Sequence, residues 1–308
     1  MKLILLLSLL GIVTTLASPI WLADLGTRSP WVAHIDTTKL RTSPLRNFLA
    51  ETAGFDQFLQ LKGSLKDKLS LDVETIEGLT LLGSGKKWRE TSILIRGDFA
   101  LNHFDSLPVV DDKSGSENLL IRQVPELDKR TFFLTKYSGK ELVVGTSVQA
   151  VRDGVGTLRE PAPNSWATAD LTDDTRAKLG SAIALFAIDM KTIGAELKFE
   201  AELTRAMRSA WLLINSRGND IEVSFLINSP DSEGLTFLSE KWTFFSTMLV
   251  AGQETPQAVR ESMAAQKVTM HGQWMTVTMA APPKEAAQFL KAFGPLFGQE
   301  PKKTTSPE

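Results

Sequence analysis

The sequence predicts an α+β fold in two related halves, each an antiparallel sheet with helices packed on one face. Three observations carry that expectation. Short alternating apolar runs recur along the chain, bounded by glycine turns, as half-buried strands require. The order strand, glycine turn, strand, helix appears at three places. A Pro-rich stretch, Glu160-Pro161-Ala162-Pro163-Asn164, divides the chain near its middle.

Residues 31–36 read as the first strand, with Val32, His34 and Asp36 alternating against Ala33 and Ile35. Ser43-Pro44 supplies an N-cap followed by proline at the first helical position, opening a short helix through Leu45, Phe48 and Leu49. Phe55, Phe58, Leu59, Leu65 and Leu69 form a second helical pattern. Asp72 caps a brief turn before a strand at 79–82. Strands follow at 92–96 and 118–123, separated by a helix near 99–107.

The first repeated unit is a strand at 132–134, the turn Ser138-Gly139-Lys140, a strand at 141–144 and a helix at 147–158. The second runs through 211–214, Arg217-Gly218-Asn219-Asp220, 221–227 and a helix from Asp231. The third runs through 267–270, His271-Gly272-Gln273, 274–279 and a helix at 283–293. Glycine supplies the positive φ that tight hairpins need. Residues 166–171 echo 31–36, and 184–189 with the helix after them echo 93–98 with theirs. The chain therefore divides into a signal segment (1–17), a linker (18–30), a first half (31–159), a Pro-rich linker (160–165), a second half (166–298) and a polar, disordered tail (299–308).

Lys2 followed by the uncharged apolar run Leu3 to Leu16 and by Ala17-Ser18 has the pattern of a secretory signal peptide. Uncharged sequence continues to Leu22, long enough to span a hydrocarbon core of about 30 Å if left uncleaved. Ser18-Pro19 interrupts that run where cleavage would fall. Both outcomes export the remainder to the periplasm or beyond, and membrane contact is expected only if the segment stays as an anchor.

Losing Lys2 takes the formal charge from −2 to −3, which offers no electrostatic footprint for nucleic acid and no basic tail for anionic lipid. The chain has no cysteine, which excludes a lipobox, thiolate metal sites and thiol catalysis. It also has no Asn-x-Ser/Thr sequon, and the two absences together favour a bacterial envelope protein.

The segment Trp31-Val-Ala-His-Ile-Asp-Thr-Thr-Lys-Leu-Arg-Thr-Ser-Pro-Leu45 resembles the opening of large families of uncharacterised exported bacterial proteins. These begin with a strand carrying an aspartate, then a leucine, then a Ser-Pro-Leu helix start. Asp72-Val-Glu-Thr-Ile-Glu-Gly-Leu-Thr80 and the later Val-Val-Gly strand are similar in style. The resemblance covers the first half well and the second loosely. It implies a signal peptide and a duplicated α+β body, and brings no catalytic residues with it.

No motif for chemistry emerges. The three histidines, His34, His103 and His271, lie on a strand, a helix and a turn, and none has metal-binding spacing. Gly83-Ser84-Gly85-Lys86-Lys87 fails as a phosphate loop, because Thr80 stands where glycine is needed and Lys87 where Ser or Thr is needed. Asp170, Asp173 and Asp174, with Asp111-Asp112, match no calcium loop, and Thr172 or Asp173 as a helix N-cap explains the first group. No cofactor or metal is expected.

The helix at 234–250 stands out. Leu235, Leu238, Trp242, Phe245 and Leu249 form one stripe, with Phe237, Phe244 and Met248 beside it. This apolar face is wider than a one-sided helix needs. Either the helix is wedged into a core or it presents a binding surface of Leu238, Trp242, Phe245 and Leu249 to a protein or an apolar ligand. The leading expectation is an exported, non-catalytic envelope protein that binds or scaffolds. One alternative is an envelope hydrolase using Asp36, Asp98, Asp170 and Asp189 gathered from distant strands. The other is an assembly or chaperone-like module presenting the aromatic helix.

Overall fold

The computed structural model describes residues 29–46, 72–83, 91–98, 101–110, 119–127, 130–159, 172–193, 201–253 and 255–287. In chain order the elements are β1 (Trp31–Asp36), α1 (Thr37–Thr42), β2 (Ile76–Gly83), β3 (Thr91–Gly97), β4 (Arg122–Leu127), β5 (Arg130–Ser138) and β6 (Glu141–Gly145). There follow α2 (Val148–Arg159), α3 (Asp173–Ser181), β7 (Ala184–Asp189), α4 (Met190–Ile193), α5 (Ala201–Ala206), β8 (Ser209–Arg217) and β9 (Asp220–Asn228). The chain continues with α6 (Ser232–Ala251), α7 (Gln257–Ala264), β10 (Lys267–His271) and β11 (Trp274–Ala281). Short 3-10 turns occupy Val73–Thr75 and Leu101–Ser106.

The strands form one antiparallel sheet rather than two. Its order among the described residues is β10-β11-β9-β8-β7-β1-β2-β3-β6-β5-β4. At its centre β1 pairs with β7, Trp31 opposite Ile188 and Ile35 opposite Ala184. Asp36 N–H to Ile183 O and Asp189 N–H to Pro30 O extend that ladder at both ends. An α+β protein with a large antiparallel sheet is thus the observed class.

Helices cover both faces of the sheet, which corrects the one-face expectation. Trp31, Ala33 and Ile35 of β1 share a core with Leu40 of α1, Leu235 and Leu238 of α6, and Val259 and Met263 of α7. Val32, on the opposite face, joins Leu82, Leu185, Ala187, Trp211 and Leu213, with Leu158 of α2 and Leu179 of α3 against them. Val151 and Val155 of α2 pack on Leu94 and Val143 of that same face. The cause is legible in β7: Ala184-Leu-Phe-Ala-Ile188 is apolar at every position, and a strand with two apolar faces needs a cover on each.

Local starts and stops mostly follow their residue chemistry. The helix expected from Ser43-Pro44 starts there, with Leu45 N–H donating to Ser43 Oγ at 3.1 Å and residues 45–46 helical, and its remainder lies outside the described residues. Ahead of it, directly after β1, stands a further helix, α1. Asp36 caps it, its carboxylate accepting from Lys39 N–H at 2.9 Å, while Ser43 ends it. An aspartate at the end of a strand accepts the orphan N–H groups of the first turn as soon as they appear, so the helix starts there. Thr172 caps α3 and Asp231 caps α6 as expected. Gly218 and Gly272 take positive φ, 63° and 58°, in the β8–β9 and β10–β11 hairpins. Gly139 does not. The β5–β6 hairpin instead slips register between Lys136 and Ser138, and Ser138 Oγ donates to Glu141 Oε2 at 2.8 Å. The predicted helix at 55–69 and the strand at 166–171 lie outside the described residues, as does all but the first turn of the helix at 283–293.

Candidate functional site

Asp231 starts α6, accepting from Gly234 N–H at 2.7 Å, and Glu233 in the first turn suits the positive end of the helix dipole. The first half of the helix is then anchored by Leu235 and Leu238, both buried in the core. Further along, the helix lifts its apolar residues away from that core. Trp242 is half-buried. Its ring lies 5.7 Å from that of Phe225 on β9, and its Nε1 donates to Gln266 Oε1 at 2.8 Å.

Of the four residues proposed for a surface, Leu238 belongs to the core. Trp242 and Leu249 are partly buried, and Phe245 is 38% exposed. The most exposed large apolar side chains of α6 are Phe244 at 67% and Met248 at 60%, joined by Val250. The reason is helical geometry. The inward line passes from Leu235 and Leu238 through Trp242 to Ser246, which is buried, and not to Phe245. A small serine at that position leaves the bulk of the second half to face outward. Ser246 Oγ donates back to Thr243 O at 3.0 Å, so the buried hydroxyl is satisfied within the helix. The sequence signal was present: one polar, small residue four places after Trp242.

From Trp242 to Ala251 the helix carries no charged residue. The last charge before that stretch is Lys241, whose ammonium sits 5.3 Å from the Phe237 ring. A helix facing water ordinarily carries charge on its outer face, whereas the outer half of this one is uncharged and exposes Phe244, Phe245 and Met248.

On the opposite face of the sheet, polar residues form a row across four strands. The register sets Asp36 beside Gly78, Gly78 beside Arg96, and Arg96 beside Glu141. Arg96 donates from Nε to Glu141 Oε1 at 2.9 Å and meets the same carboxylate through a second nitrogen at 2.7 Å. Asp36 pairs with Lys39 Nζ at 3.0 Å, and that ammonium also donates to Gly180 O at 2.8 Å. His34 lies one row away, buried, with Nδ1 2.9 Å from Thr80 Oγ1. Burial pushes its pKa down from 6.5 to about 4. The Asp36 carboxylate opposes that shift, while the charges of Lys39 and Arg96 add to it. At neutral pH this imidazole is uncharged and bonded to a hydroxyl, and its carboxylate neighbours are engaged in capping and ion pairs.

The aspartates of the hydrolase reading do not converge. Asp36 and Asp189 end antiparallel neighbours and so sit at opposite ends of the sheet. Asp189 accepts from Lys191 N–H and Thr192 Oγ1, serving the turn that follows it. Asp98 is exposed after β3, and Asp170 lies outside the described residues. His271 is exposed at the end of β10, and His103 lies in the 3-10 turn at Leu101–Ser106. Among the described residues no three His, Asp or Glu side chains gather as a metal ion would need.

No family model matches the chain, and no curated protein matches it. Among solved structures it is similar to TP0453. Crystal form I of that protein superposes with a TM-score of 0.46 at 10% identity, covering 92% of this chain and 100% of that one. Crystal form III gives 0.47 at 8% identity, covering 90% and 99%.

Two outcomes are expected from this geometry. Leu238→Ala should cost about 2–5 kcal/mol in urea unfolding, whereas Phe244→Ser should stay within about 0.5 kcal/mol. Comparable losses at the two positions would place Phe244 in the core. For His34, the folded pKa lies below the unfolded one, so between pH 6.5 and about 4 the unfolded chain binds a proton that the folded chain refuses. His34 therefore contributes stability above about pH 6.5 that is lost as pH falls toward about 4, on the order of 3 kcal/mol in full. The gap between urea midpoints at about pH 7 and about pH 4.5 should shrink in His34→Gln. An unchanged gap would remove His34 as a source of acid sensitivity.

Proposed function

We propose that the protein is an exported, non-catalytic envelope component that binds or scaffolds an apolar partner through the outer face of the second half of α6. The observation that carries this reading is the uncharged stretch from Trp242 to Ala251, with Phe244, Phe245 and Met248 open to solvent on a helix whose other half is anchored in the core. Covering a phenylalanine side chain fully is worth about 1.5–3 kcal/mol, so a few such residues supply the attraction for a reversible partner. Export is supported by the charged, apolar and small-residue order of the first 18 residues. No helix among the described residues is long and apolar enough to cross a membrane.

We also infer that the body arose by duplication, as the repeated strand–turn–strand–helix order implies. Outward from the centre, the strand orders β1-β2-β3-β6-β5 and β7-β8-β9-β11-β10 follow one scheme, each ending in a hairpin whose second strand lies inside its first. Both central strands end in Ile-Asp, and both aspartates accept hydrogen bonds from the helical turn that follows. In this scheme the mate of β1 is β7. Asp36 and Asp189 then match, in place of Asp98 and Asp189.

Fluorescence of the hydrophobic dye ANS added to the folded protein tests the binding surface. The wild type should enhance it, and Phe244→Ser/Met248→Ser should lose most of that enhancement without loss of stability. Equal enhancement in both proteins would move the binding surface away from α6.

A further inference from the structure

The sheet has two outer strands, and the chain treats them differently. β4 is closed. Val109 bridges to Arg122, Val110 N–H bonds to Ile121 O, and Gln123 N–H bonds to Pro108 O, so residues 108–110 lie along its outer edge. Pro125 removes one donor from the strand, and its register against β5 slips between Val124 and Leu127. Proline, an irregular ladder and a covering segment are standard protections of an edge. Among the described residues, β10 has none of these. Its five residues pair with β11 without interruption, from Lys267 opposite Thr278 to His271 opposite Trp274, and all five are exposed. β5 holds the equivalent place beside β6 and carries β4 on its outer side. β10 has no outer neighbour among the described residues.

The side chains of β10 repeat the contrast. Val268 and Met270 face the α6 side of the sheet, opposite the fully buried Val277 and Met275. Yet they are 40% and 51% exposed. The apolar row Phe225–Val277–Val268 runs out of the core and stops in solvent. We propose that β10 is the docking edge for a second copy of this chain, which adds its own β10 antiparallel and continues the sheet through both molecules.

The segment suits its own copy. A two-fold axis at Thr269 sets Thr269 opposite Thr269 of the second copy, Val268 opposite Met270, and Lys267 opposite His271. Both apolar pairs then meet on the α6 side, the threonines and basic residues meet on the other, and the two lysines are held about 13 Å apart along the strands. This inference goes beyond the α6 surface and does not need it.

Because the chain has no cysteine, single cysteines report the register cleanly. In the exported protein as purified, Thr269→Cys places two thiols across the axis within disulfide reach, while Lys267→Cys holds them too far apart. Under mild oxidation Thr269→Cys should give roughly tenfold more disulfide-linked dimer than Lys267→Cys. Sedimentation equilibrium completes the test. The wild type should associate, Val268→Lys/Met270→Lys should weaken association by at least roughly tenfold, and Phe244→Ser/Met248→Ser should leave it unchanged. A monomeric wild type, equal cross-linking at positions 267 and 269, or association lost only in the α6 variant would each overturn the proposal. The ANS result on α6 stands or falls separately.

Discussion

The antiparallel pairing of β1 with β7 joins β2 through β6 to β8 through β11 in a single sheet. Its register brings Trp31 and Phe186 together on one face, their ring centroids 6.4 Å apart, and Val32 and Ala187 on the other. Every residue of β1 is buried, so the join is made in the middle of the molecule and not at a surface seam. Lys39 reinforces it by tying Asp36, at the end of β1, to Gly180 at the end of α3. A pair of strands buried on both faces is stable only between two layers, and the helices on either side supply them.

The position of α6 follows from that plan. β9 delivers the chain to Asp231 at one end of the sheet, and the helix returns across the face that carries Ile221, Val223 and Phe225. Leu235 and Leu238 fill the core near the turn, and Trp242 bridges to Phe225 and Gln266. Beyond Trp242 the inward position is a serine; Phe245 still lies 5.8 Å from the Trp242 ring, while Phe244 is left to solvent. The exposure of Phe244 and Met248 is a choice of sequence: hydrophilic residues at those two positions would cost the fold little. The polar row of Asp36, Arg96 and Glu141 on the opposite face shows the contrary logic, since each charge there has its partner within 3.0 Å.

Much of the fold was legible because strand alternation and hairpin glycines are local signals. The strands at 31–36, 92–96, 141–144, 184–189, 221–227 and 274–279 are all present, and Gly218 and Gly272 turn as their sequences imply. Less legible were features set by tertiary context. The short helix α1 is one of these: Asp36 caps it only because β1 ends there, while the start expected at Ser43-Pro44 belongs to the next helical turn. Reading two sheets missed that Ala184-Leu-Phe-Ala-Ile188 lacks a polar face, which marks an interior strand. On α6 the broad apolar face is plain in the sequence, but Leu238, Trp242, Phe245 and Leu249 do not share one exposure, because the inward line runs through Leu238 and Trp242 to Ser246. No local pattern marks β10 as an outer strand.

Native-state hydrogen exchange along the sheet tests the central join most directly. If the β1–β7 pair holds one cooperative unit together, amides of Ala33, Ile35, Leu185 and Ala187 exchange only through the same global unfolding that releases β3 and β9. Their free energies of exchange then equal the global stability and fall in step with it as denaturant is added. Exchange of the β1 and β7 amides at a distinctly lower free energy than those of β3 and β9 would contradict this, because the halves would then part while each stayed folded.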